Sequence, residues 1–139
     1  MPLLRAIASD KSPSGPAGWA LFLLRVSLGL GMILAHGWPK LMHFSQIAGK
    51  FADPLGLGAP LSLALIVFAE VFCAGLVVLG VFTRLASLPV VFGMGVVVFV
   101  TQHGDVLGKA ETAALYGLGF LVLAIGGGGS FSLGKILRG

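Results

Sequence analysis

The sequence predicts an all-α integral membrane protein, a four-helix bundle with antiparallel spans and short loops. Three observations predict it. Only 10% of the 139 residues are charged, against about 25% in soluble domains, so a water-facing surface cannot be built from them. Mean hydropathy is +1.03 and 57% of residues are hydrophobic. The apolar residues gather in four continuous runs and do not alternate, which in lipid means helices that satisfy their own backbone groups.

Residues 1–16 form an N-terminal tail. Its start is broken by proline and lacks the apolar core of a cleaved signal peptide, which predicts a disordered tail or, through Leu3, Leu4 and Ile7 beside Arg5, one lying on the membrane surface. The bundle occupies residues 17–126. The first span, about 17–37, reads as an apolar stretch long enough to cross a layer of about 30 Å, with Trp19 and Trp38 near its ends as interfacial anchors. A segment rich in proline and glycine follows, and its FSQIAGKFADPLGLG stretch predicts a short interfacial helix ending before Pro54. The second and third spans, about 61–82 and 85–102, are separated by Thr83 and Arg84 alone, which forces a hairpin. The fourth and shortest, about 111–125, ends at the Gly126–Gly129 run. Residues 127–139 are a C-terminal tail. Glycines inside the spans let backbones approach where lipid offers no hydrophobic drive.

Loop charges orient the bundle. Arg5, Lys11, Arg84, Lys135 and Arg138 fall on the side of both termini, and Lys40, Lys50 and Lys109 on the other. That asymmetry places both termini in the cytoplasm and accounts for the net charge of +4 without a nucleic-acid partner, since no aromatic-and-basic patch accompanies it. The single cysteine, Cys73, excludes an intrachain disulfide, a CxxC redox centre and a multi-cysteine metal site.

The candidate site consists of ionisable residues inside the spans. A charge at mid-depth costs at least about 2.5–3.5 kcal/mol unless paired or wet. Arg25 in the first span therefore needs a partner, and Glu70 in the second lies at matching depth when residues are counted at the helical rise. Such a pair either fixes helix register or lines a ligand cavity. Arg25, Met32 and His36 fall on one helical stripe. His36, His103, Asp105 and Glu111 are predicted to surround one outward-facing pocket, able to exchange protons with a quinone. A metal site is the lesser reading, because their spacing matches no metal motif. Glu111 also suits a helix N-terminus. Lys40 lies four residues after His36, and Tyr116 in the fourth span needs a partner for its hydroxyl. The candidate proton-exchanging residues are His36, Glu70 and His103. The candidate ligand-binding residues are Arg25, Lys40, Glu70, Glu111 and Tyr116.

Arg25, the HGWPK block at 36–40, the inner Glu70 and the FTR block at 82–84 together resemble the DoxX family of small membrane proteins, over about residues 17–129. The resemblance implies a four-helix bundle in the bacterial inner membrane, similar to the small membrane subunit of thiosulfate:quinone oxidoreductase. It implies a role for Arg25, His36, Lys40, Glu70 and Arg84, and work with a separate protein subunit. The leading expectation is a membrane subunit of a quinone-linked oxidoreductase system, holding a quinone-like ligand in a polar intramembrane cavity. The alternative is a non-enzymatic membrane anchor or assembly factor. A permease is a third reading, and four short spans would then require a homo-oligomer.

Overall fold

Pro16 and Pro60 each sit in the first turn of an apolar helix, where a missing N–H removes no intrahelical bond. In the computed structural model, which describes residues 13–138 together with Pro2 and Arg5, the helices in chain order are α1 (Gly15–Met42), the single turn α2 (Phe44–Ile47), α3 (Ala59–Leu79), α4 (Thr83–Thr101), α5 (Glu111–Gly126) and the short α6 (Leu133–Arg138). No strand occurs among the described residues. By length and composition α1, α3 and α4 can each cross a membrane, and α5 is a shorter apolar helix. Leu3, Leu4 and Ile7, on which the choice between a disordered and a surface-lying tail rests, lie outside the described residues.

Each long helix contains one π-helical turn: Ile33–Gly37 in α1, Phe68–Cys73 in α3 and Val97–Thr101 in α4. The first explains why α1 runs on to Met42 instead of ending near residue 37. Pro39 lacks an N–H and its ring crowds the carbonyl four residues back. The widened turn just before it relieves that crowding, and the helix passes through.

The link between α3 and α4 is residues 80–82, and Thr83 and Arg84 belong to the first turn of α4. Gly80 takes φ +74. Its N–H bonds the Val77 carbonyl at 3.0 Å and the Val81 N–H bonds the Leu76 carbonyl at 3.0 Å. This double closure of a helix end needs a left-handed residue, which glycine supplies without a Cβ penalty.

α4 lies along α5, while α1 packs against the last turns of α3 and against α5. From Gly29 to Gly37, α1 meets α3 residues running back from Ala74 and Val78 to Glu70 and Val71. The core between them holds Met32, Ala69, Ala74, Val77, Val90, Phe120 and Leu123. Outside, large apolar side chains stay uncovered: Leu23, Leu34, Phe92, Phe99 and Ile125 are each more than 60% exposed. In water such a surface would aggregate; in hydrocarbon it is ordinary.

The C-terminal segment is packed, not trailing. Gly127, Gly128, Gly129, Ser132 and Gly134 are buried. The Ser130 N–H bonds the Gly18 carbonyl at 3.1 Å and the Gly134 N–H bonds the Gly80 carbonyl at 3.2 Å. Phe131 packs at a tilt against Trp19 and edge-on against Phe22, ring centroids 4.8 and 5.7 Å away, so Trp19 serves an aromatic cluster while remaining half-exposed.

Candidate functional site

Glu70 is buried in the π turn of α3, with 4% of its side chain exposed, and its partner is Lys40. Lys40 Nζ donates to Glu70 Oε2 at 2.8 Å and Oε1 at 3.1 Å, and lies 3.5 Å from the carbonyl of His36. Gly37 makes the approach possible: a Cβ there would lie 2.9 Å from Glu70 Cβ and 2.7 Å from Val71 Cγ2. The π turns of α1 and α3 touch at this point, and π turns cluster at functional sites.

The ion pair forms the polar end of a cavity of about 490 Å³, within the range of small-molecule sites. Its walls are Leu65, Ile66 and Ala69 of α3 and Pro89, Phe92, Gly93 and Val96 of α4, with Val97 and Thr101 from the third π turn. Residues Phe51, Ala52, Pro54, Leu55 and Leu57 of the α2–α3 loop also line it. Asp53 pins that loop. Its carboxylate accepts from the N–H groups of Leu57 and Gly58, both at 2.9 Å, and from the Ser62 hydroxyl at 2.8 Å.

These bonds, the Ser62 hydroxyl first and the Gly58 amide next, hold the Asp53 carboxyl below its ordinary value. A depressed carboxylate contributes stability above its unfolded pKa of about 3.9 and loses it as pH falls through the lower folded value. The protection of amides 57 and 58 against hydrogen exchange, taken relative to the intrinsic rate at each pH, should therefore fall as the solution is acidified through the folded value. Asp53→Ala should show the low protection already at neutral pH. Unchanged protection in the variant would mean the loop is held by its apolar contacts alone.

The other predicted residues do not join this site. Arg25 does not pair with Glu70. Its guanidinium is fully buried at the opposite end of α3, beside Gly80 and Ser132. Nη2 donates to the carbonyls of Ser130 and Phe131 at 3.4 and 3.3 Å, and Cζ sits 5.2 Å from the Phe22 ring centroid. The depth count failed because α1 reaches Met42. Gly37, not Arg25, is level with Glu70, and Arg25 lies about 18 Å further along the helix at 1.5 Å per residue.

His36 turns its ring to Tyr116, edge to face at 5.3 Å, and the Tyr116 hydroxyl lies against Gly31. His103, in a left-handed conformation at φ +53, is exposed, as are Asp105 and Glu111. Asp105 accepts the Lys109 N–H at 3.1 Å within its own loop. No three His, Cys, Asp or Glu side chains among the described residues gather as metal ligands do, and none of His36, His103, Asp105 and Glu111 lines the cavity. Sequence reasoning missed the 51–57 cover and the α4 wall. The signal available for the cover was Asp53 placed before Gly56, Gly58 and a helix-starting Pro60, a pattern that loops back onto its own amides.

Apolar helices with lipid-compatible exteriors and a charge pair shielded among them define a multi-pass membrane protein. The chain belongs to the DoxX family, whose profile matches residues 20–103. It is similar to inner membrane protein YphA of Escherichia coli strain K12, 34% identical across a 128-residue alignment that covers 83% of this chain and 88% of the relative. No solved structure matches.

Proposed function

We propose that this chain is an inner-membrane DoxX protein that holds an amphipathic, quinone-like ligand as the membrane subunit of a redox system, with electrons delivered by a separate protein partner. The observation that carries the reading is the Lys40–Glu70 pair at the end of a cavity whose remaining walls are apolar except at Ser62 and Thr101. A bundle stabilised by apolar packing alone does not require a charge pair in a cavity, and intramembrane ionisable residues mark ligand or proton paths by default. The residues fit such a ligand. Lys40 would donate to a ring carbonyl, and Glu70, with both oxygens turned to Lys40, would accept from a ring hydroxyl. Proton handling then falls to Lys40 and Glu70, since His36 and His103 stand away from the cavity.

In this reading all four apolar helices cross the bilayer in antiparallel order. α5, about 24 Å long at the helical rise, spans with local thinning of the layer. Both termini face the cytoplasm, following the excess of Arg and Lys on that side, and the cavity faces outward.

Mass spectrometry of protein extracted from the native membrane tests this, with circular dichroism monitoring the fold. Wild type should carry a stoichiometric quinone that folded Glu70→Gln has lost. A ligand retained by Glu70→Gln, or an empty wild-type cavity beside a stoichiometric protein partner, would overturn it in favour of an anchor or assembly role.

A further inference from the structure

A second apolar space of about 500 Å³ lies between α3 and α4, lined by Phe72, Cys73 and Leu76 on one side and Phe82, Leu85 and Leu88 on the other. It shares Phe68, Pro89 and Phe92 with the cavity that contains the ion pair. Along α3 the two together run from Ser62 to Leu76, about 21 Å at the helical rise, most of the thickness of one hydrocarbon layer. The second space contains no polar side chain except the Cys73 thiol, so no head group has a home there. Its rim residues Phe72, Leu85 and Phe92 are at least half exposed, so it opens sideways toward lipid.

From this continuity we infer that the seam between α3 and α4 is the tail site of the ligand whose head lies at Lys40–Glu70. The ligand is a single-chain lipophile that enters laterally from the bilayer. The inference rests on the cavity reading above and adds the tail's path. Two local features keep the seam open. Pro89 removes a helical hydrogen bond from α4, and the π turn of α3 places Phe68 and Phe72 stacked at 5.3 Å as one wall. A tail leaving lipid for this seam gains no hydrophobic energy, because lipid is as apolar as the seam. Packing against the aromatic wall and tethering by the bound head must localise it there.

The experiment uses the full chain in lipid nanodiscs with two photoprobes, a benzoquinone carrying a diazirine near the end of a decyl tail and a phospholipid carrying the same diazirine in an acyl chain. Labelled positions are mapped by mass spectrometry. The quinone probe should label Cys73, Leu76 and Leu85, and excess tail-less benzoquinone should suppress that labelling. Leu85→Trp, at an exposed rim position, should give a severalfold loss at Cys73 while tail-less benzoquinone binds as before. The phospholipid should label the apolar exterior broadly, Leu118 and Ile125 included. If tail-less benzoquinone binds in a Glu70-dependent manner but the tail labels the exterior as the phospholipid does, the tail site is wrong and the cavity reading stands. If tail-less benzoquinone does not bind at all, both fall.

Discussion

Lys40→Met will destabilise the protein more than the double variant Lys40→Met/Glu70→Met. The single change leaves a carboxylate with 4% of its side chain exposed and its ion-pair partner Lys40 gone. Breaking a buried pair from one side costs about 3–5 kcal/mol. The value here belongs at the low end, because Lys40 keeps 24% of its side chain exposed. Replacing both partners by apolar groups of similar length removes the stranded charge, and such swaps are often neutral. A double-mutant cycle on the denaturation midpoint measures the coupling, which should be large and favourable for residues in direct contact. Ligand content separates structure from function in the same set. The single variants Lys40→Met and Glu70→Met should lose the bound quinone, and so should the double variant that recovers stability. If that variant keeps the ligand, the pair only fixes the register of α1 against α3.

The existence of the helices was legible because lipid imposes one rule, long unbroken apolar runs, and the sequence obeys it. The pairing of charges was not legible, because depth counted along a chain assumes straight helices with known ends. Pro39 reads as a stop, yet the π turn Ile33–Gly37 carries α1 past it and delivers Lys40 to Glu70. A turn holding an extra residue also rotates everything after it, so the stripe joining Arg25 to His36 in an ideal helix does not persist to Lys40. Gly37 was the available clue. A residue without a side chain beside a buried glutamate marks where two helices touch, but one sequence does not say which glycine meets which charge. The Gly126–Gly129 run reads as a helix stop and a turn, and the helix does end there; what the sequence does not show is that close packing against Gly18, Leu21 and Thr83 requires Gly126, Gly128 and Gly129 to be small.

Arg25→Met will release the C-terminal segment and leave the Lys40–Glu70 cavity intact. The guanidinium is fully buried, and its Nη2 bonds two carbonyls of that segment. Nε and Nη1 find no hydrogen-bond partner among the described residues, so part of what the bonds contribute is offset by the cost of burying the charge. Bonds to a charged donor contribute about 1.5–3 kcal/mol. At 3.3–3.4 Å the pair should give the lower value in total, or about tenfold faster hydrogen exchange across residues 130–136 at 1.4 kcal/mol per decade. Methionine fills the space of the arginine stem, so the Trp19–Phe22–Phe131 cluster persists and α1 stays helical. The cavity lies about 22 Å away along α1 at the helical rise, and ligand content should match wild type. Loss of the ligand with an unchanged C-terminal exchange rate would instead mean that Arg25 acts on the cavity from a distance and does not hold the C-terminal segment.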